Sequence, residues 1–184
     1  MNAVIRQASY DDVLCLPEHV TGEILSGQLH AQPRPSARHA RVETGLARGL
    51  FGPFDLGGDG PGGWVILVEP ELHLGSNVMV PDLAGWTREH LSEIPDGPIS
   101  VVPDWACEIL SPGTAVKDRK IKLPIYGQLG VRHVWIVDPN AKTIEVLRNG
   151  GEHWLLLTTY SDQDCMRAEP FDAIELELRH LWAW

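Results

Sequence analysis

Residues 131–137, Val-Arg-His-Val-Trp-Ile-Val, are nearly all apolar or β-branched. A run of that kind suits a strand covered on both faces, and such a strand belongs to a layered α/β architecture. The flanking segments fill in the layers. Residues 10–16 read as a short amphipathic helix ending at Pro17, and residues 24–31 as a hairpin turning at Ser26-Gly27. Pro33-Arg34-Pro35 interrupts the chain. Ser36 is then a good N-cap for a helix carrying Ala40, Val42, Leu46 and Leu50, which should end at Gly52-Pro53. Strands are expected over 64–68, 71–74, 77–84 and 99–110, and again over 143–147 and 153–160 after the turns at Asp138-Pro139 and Asn149-Gly150-Gly151. The glycine-rich segment 55–63 and the insert 87–98 show no strand or helix pattern and are expected to be mobile. The tail 174–184 alternates Ile174, Leu176 and Leu178, then ends in Leu181-Trp182-Ala183-Trp184. It must pack on the domain or on a partner subunit. One domain over residues 1–184 accounts for all of this.

Two segments carry a Pro-Asp pair, Val80-Pro81-Asp82-Leu83 and Val102-Pro103-Asp104-Trp105, and the second leads into Cys107-Glu108-Ile109-Leu110-Ser111-Pro112. A glutamate inside an apolar strand is costly to bury without a partner, so Glu108 either faces solvent or serves a site. Asp118, Lys122 and Tyr126 follow at intervals of four and share one face of a helix. Pro124 lies within that stretch and should kink the helix or mark its true start. Asp104 reads as a strand-entry acid, and it is the main rival to Asp82 as a ligand.

Composition excludes several classes. Cys15, Cys107 and Cys165 are three in number with no CxxC pair, so neither a disulfide framework nor a structural zinc site is indicated, and reduced thiols in a cytoplasmic protein are expected. Cys107 should point to the strand face opposite Glu108. No apolar run approaches the roughly 20 residues that span a bilayer, and the N-terminus has no basic stretch followed by an apolar one, so a soluble, unexported chain is expected. The histidines show no HxxxH or HExxH spacing, Ser111 has no GxSxG setting, and no GxxxxGK[ST] occurs. The net charge of −10 opposes a polyanionic substrate. Its distribution softens that, because eight of the 15 basic residues fall in two short segments, Arg34, Arg38, Arg41 and Arg48, and Lys117, Arg119, Lys120 and Lys122. These form either a basic rim around an acidic pocket or two ordinary solvated helix faces.

Pro81-Asp82, Glu108 in its apolar strand, Ser111-Pro112, the Asp118/Lys122/Tyr126 run and Gly130-Val131-Arg132-His133-Val134-Trp135-Ile136-Val137-Asp138-Pro139 together resemble the restriction-endonuclease-like family, a branch of unknown function in the PD-(D/E)XK nuclease superfamily. The resemblance is strongest over residues 80–139, with echoes at residues 22–29 and at His39. It implies a mixed α/β (α+β) fold, with a bent central sheet flanked by helices and a metal pocket at one sheet edge. It also implies an endonuclease that hydrolyses phosphodiester bonds, in DNA before RNA, with Mg²⁺ or Mn²⁺. Asp82, Glu108 and the Ile109 carbonyl would be the metal ligands. Lys122 would orient water or stabilise charge, taking the place of the superfamily lysine where this chain has Leu110. Glu23, His39, Asp118 and Tyr126 would be accessory residues. Cleavage of both strands would need two sites, which the apolar tail could support by forming a homodimer. Two alternatives stand beside this reading: a non-catalytic binding or assembly protein with the nuclease fold, and a metal-dependent hydrolase of a smaller phosphorylated substrate.

Overall fold

The computed structural model describes residues 6–183. A six-stranded mixed sheet forms its centre. In spatial order its strands are β10 (Trp154–Ser161), β9 (Thr143–Asn149), β8 (His133–Asp138), β7 (Trp105–Ile109), β6 (Leu83–Thr87) and β3 (Trp64–Val68). Only β7 and β8 run parallel. A parallel neighbour needs a crossover, and residues 115–129 supply it as α3 (Ala115–Lys117), a π-helical turn (Asp118–Lys122) and α4 (Leu123–Leu129). A second, antiparallel sheet has the order β2 (Gln28–Pro33), β1 (Val20–Leu25), β5 (Asn77–Met79), β4 (Leu72–Leu74).

The apolar run behaves as its composition requires. On β8, Trp135 and Val137 face one core and Val134 and Ile136 the other. The first core lies under α2 (Ala37–Leu50), which contributes Val42, Leu46 and Leu50, and the second lies under α4, which contributes Ile125 and Tyr126. A helix therefore covers each face of the central sheet. Trp105, Trp135 and Phe171 meet edge to face in the first core, with ring centroids 4.9 to 5.6 Å apart.

The chain departs from the local pattern in four places. The strand expected over 77–84 is two strands in two sheets, β5 and β6, separated at Val80-Pro81-Asp82, where Pro81 has no N–H for a ladder. The strand expected over 99–110 is ordered as β7 from Trp105 only, and Ile99 makes an isolated bridge to Leu72. The helix after Ser36 does not stop at Gly52-Pro53, because a π-helical turn, Phe51–Asp55, prolongs it. That turn places the Asp55 carboxylate to accept the Ile66 N–H at 2.8 Å on the outer side of the edge strand β3. The tail yields only β12 (Leu176–Glu177), paired with β11 (Cys165–Met166), and a 3₁₀ turn (Leu178–His180). Its Leu178, Leu181 and Trp182 are buried in the first core, so the tail packs on its own chain. Trp184 lies outside the described residues.

Pro124 marks the true start of α4, one of the two expected outcomes. The Leu123 N–H donates to the Asp118 carbonyl in a wide i→i−5 turn, and Pro124 falls in the first turn of α4, where no donor is required. Cys107 is buried and Cys15 and Cys165 are exposed, all as free thiols. No helix among the described residues is long and apolar enough to cross a membrane.

Candidate active site

The break at residues 80–82 is the first element of the site. The pairing of Leu83 with Cys107 in the antiparallel β6/β7 ladder sets Asp82 across from Glu108. Asp82 Oδ2 accepts the Ile109 N–H at 2.5 Å, and Asp82 Oδ1 lies 3.1 Å from His39 Nε2. His39 is held by the start of α2, where the Ser36 hydroxyl accepts its backbone N–H at 3.3 Å. Alternation along β7 sends Trp105, Cys107 and Ile109 to the α2 core and Glu108 to the α4 side, as expected for Cys107.

On that side Asp118, Lys122 and Tyr126 do share one buried face, 3, 1 and 0 % exposed. Tyr126 donates its hydroxyl to Glu108 Oε1 at 2.5 Å. Lys122 Nζ reaches Glu108 at 2.7 Å, Glu23 Oε1 at 3.0 Å and the Val80 carbonyl at 3.0 Å. Three N–H donors meet three partners, so Lys122 is fully engaged. Glu23, wholly buried on β1, also accepts the Val80 N–H at 2.9 Å and pairs with Lys117, whose ammonium bonds Gln32 at 2.6 Å as well.

The charges follow from this packing. Burial raises the Glu23 carboxyl, but the Lys122 and Lys117 ammonium groups outweigh it and hold Glu23 below its ordinary value. Burial opposes the Lys122 cation, yet Glu108 and Glu23 more than compensate and it stays charged. Glu108 is pushed well up by burial, against Lys122, with Asp118, Asp82 and Glu23 adding to the rise. Asp118 is raised by burial, only partly offset by Lys122. His39 is raised on balance: burial depresses it, and the hydrogen bond and charge of Asp82 prevail.

Two groups at this site escaped sequence reasoning. Glu43 lies one turn after His39 on the inner face of α2 and is 8 % exposed, with Oε1 unpartnered; burial and the Asp82 and Glu69 charges push it up to about 7. The signal was available, because residues 39, 43, 46 and 50 form the inner stripe of that helix. Lys117 gave no such signal, since its partner Glu23 lies 94 positions away in sequence.

Asp82, Glu108, Ile109, His39 and Asp118 line one cavity of about 340 Å³, closed by Gln32–Ser36 on one side and Ser111–Thr114 on the other. Glu23, Lys122 and Tyr126 stand behind this lining and brace it. The cavity opens at the ends of β6 and β7, which are interior strands, so it is not at a sheet edge as expected. Asp104 is not part of it. That residue sits at the opposite end of β7 and accepts from Thr87 N–H at 2.9 Å and His90 Nδ1 at 2.8 Å, a structural role. The second basic segment is no solvated rim: Lys117 and Lys122 turn inward and Arg119 forms a two-pronged pair with Glu145 at 2.7 and 3.0 Å.

A divalent cation suits the donor chemistry. Asp82 and Glu108 offer hard carboxylate oxygens beside the Ile109 backbone, and the carboxylates of Asp82, Glu108, Asp118 and Glu23 outnumber the ammonium groups of Lys117 and Lys122. Burial drives Glu108 and Asp118 upward, neighbouring carboxylates add to the rise, and a cation would offset that added part. No group of three His, Cys, Asp or Glu side chains among the described residues forms a ready metal cage.

Comparison with known proteins bears on the fold and the family. A crystal structure of a putative nuclease belonging to DUF820 from Anabaena variabilis ATCC 29413 shares the fold, with a TM-score of 0.74 and 20 % identity over 95 % of this chain and 97 % of that one. No curated protein matches the chain. The Uma2 family, described as "Putative restriction endonuclease", matches residues 10–179. With nearly the whole chain matched, and with the resemblance carried by residues 80–139 upheld, this protein belongs to the Uma2 family of restriction-endonuclease-like proteins.

Proposed function

We propose that this protein is a divalent-metal-dependent endonuclease that hydrolyses phosphodiester bonds in DNA. The observation that carries the reading is that Asp82 and Glu108, set across from each other by the β6/β7 register, line one cavity while Lys122 grips Glu108 from behind its wall. Asp82, Glu108 and the Ile109 carbonyl would hold Mg²⁺ or Mn²⁺, water and substrate oxygens completing its shell. Bound there, the metal supplies a more acidic water and charge stabilisation at phosphorus.

The chain's own groups do the positioning. The Ile109 N–H and His39 orient the Asp82 carboxylate, and Tyr126 and Lys122 orient that of Glu108. Lys122 also keeps positive charge behind the site, where it favours the extra negative charge of the transition state. Its donors are all taken, so direct handling of a water requires it to release one partner. That same saturation favours a second reading, a nuclease-fold binding protein without turnover.

The test is incubation of the protein with single-stranded, duplex and supercoiled DNA and with RNA, in Mg²⁺ and Mn²⁺, beside Glu108→Gln and Asp82→Asn. Cleavage that both variants and chelation abolish, with folding intact, supports the enzyme. Equal cleavage by all three proteins, or none by any, rejects it in favour of the binding protein.

A further inference from the structure

The exposed segment Pro33-Arg34-Pro35 lines the cavity without gripping Asp82 or Glu108. Arg34 is the one lysine or arginine among the described residues of that lining, which also carries the acids Glu69, Asp82, Glu108 and Asp118. Lys117 and Lys122 are spent behind the lining on Glu23 and Glu108. Arg34 is spent on no carboxylate. Its guanidinium makes one hydrogen bond among the described residues, from Nη2 to the Glu18 carbonyl at 3.3 Å. A guanidinium has five N–H donors, so most of them remain for a ligand.

The backbone of Arg34 is held from both sides. Pro33 closes β2 in register with Val20 of β1, and Pro35 precedes Ser36, the N-cap of α2. Proline fixes its own φ at about −65° and restricts the residue before it to extended conformations, so a residue between two prolines loses little backbone freedom when it binds. Depth then sets the order in which a strand meets the lining. The Asp82 and Glu108 side chains are 15 and 3 % exposed, whereas Arg34 is exposed. With one phosphate at the two carboxylates, the guanidinium at the mouth meets the next phosphate along the strand. Its planar fork suits two oxygens of one phosphate.

We infer that Arg34 is a substrate-binding residue, the guanidinium that holds the phosphate next to the scissile one at the cavity mouth. The inference rests on the nuclease reading for its substrate class. The contact is sequence-independent, since a phosphate carries no base identity. Made equally in the bound substrate and in the transition state, it lowers KM without raising kcat. It also gives a chain of net charge −10 a local cation with which to draw a polyanion past the acids of the lining.

The test is fluorescence anisotropy with a labelled DNA duplex and a labelled single strand, in Ca²⁺, from about 50 to 200 mM salt, beside steady-state cleavage in Mg²⁺. The proteins are the wild type, Arg34→Ala, Arg34→Lys and a control that loses a cation from the surface pair with Asp162, Lys142→Ala, each shown to fold by circular dichroism. Arg34→Ala should bind about tenfold more weakly, lose about one unit from the slope of log K against log salt, and raise KM about tenfold with kcat within about twofold. Arg34→Lys should restore the slope and only part of the affinity, because it keeps the charge and loses the fork. Lys142→Ala should match the wild type. Unchanged affinity and slope in Arg34→Ala, an equal loss in Lys142→Ala, a fall in kcat at constant KM, or no binding by the wild type overturns the inference. Cleavage with an unchanged Arg34→Ala rejects the Arg34 contact alone, and binding weakened by Arg34→Ala without cleavage by any protein rejects the nuclease alone.

Discussion

Tyr126 donates its hydroxyl to Glu108 at 2.5 Å from the helix turn after Lys122, so one carboxylate is gripped by a phenol and an ammonium from the same face of one helix. The π-helical turn at residues 118–122 lets that face continue past Pro124. A carboxylate this deeply buried needs both grips: without them burial would favour its neutral form still more.

Tyr126→Phe should leave the fold intact and lower stability by about 1 to 3 kcal/mol, the cost of a buried acceptor that loses one donor. Thermal unfolding measures this. Cleavage should fall at the same time, through a looser Glu108.

Lys122→Met leaves Glu23 and Glu108 facing each other without their shared cation. A loss of about 3 to 5 kcal/mol is expected in denaturant titration. Adding Glu23→Gln should restore part of the stability but none of the cleavage, because the charge behind the site remains absent. Full recovery of cleavage by the double variant would show that Lys122 acts only on the fold.

Glu43 predicts a pH dependence. Its carboxyl titrates at about 7 in the folded protein against an ordinary 4.5. The folded state therefore holds more protons than the unfolded state between those values, and the stability this group contributes is full below pH 4.5 and lost as pH rises to about 7. The total is at most about 3 kcal/mol. In chelator, Glu43→Gln should flatten that decline, as measured by unfolding at pH 5 and pH 8. A wild-type and variant pair with parallel profiles would refute the assignment.

Asp55→Ala removes the cap on the edge strand β3, where Asp55 accepts from Ile66 N–H at 2.8 Å and pairs with Arg88 at 2.9 Å. Stability should drop by about 1 to 2 kcal/mol. An open edge also invites pairing with another chain, so sedimentation should show concentration-dependent association that the parent lacks.

Much of this fold is written in short-range patterns. The two-faced strand at residues 131–137, the hairpin at Ser26-Gly27 and the helix capped by Ser36 each follow from periodicity or turn chemistry within a few residues. The shared face of Asp118, Lys122 and Tyr126 needed only their spacing of four. Where local patterns misled, a distant partner intervened. Residues 77–84 look like one strand, but β5 pairs with β1 and β4 whereas β6 pairs with β3 and β7. The tail looks strand-like by alternation, but Leu181 and Trp182 find their burial in the α2 core.

The sequence by itself determined which residues are able to serve this chemistry, because acids, lysine and tyrosine in those positions follow from side-chain type and local geometry. Only the tertiary structure decided how they are joined. Glu23 meets Lys117 and Lys122 across roughly a hundred residues, Asp82 rather than Asp104 is set across from Glu108, and Glu43 turns inward within reach of the Asp82 charge. Those choices depend on which strand ends and helix faces the two sheets bring together, and burial in that shared interior is what converts ordinary surface charges into a strongly coupled cluster.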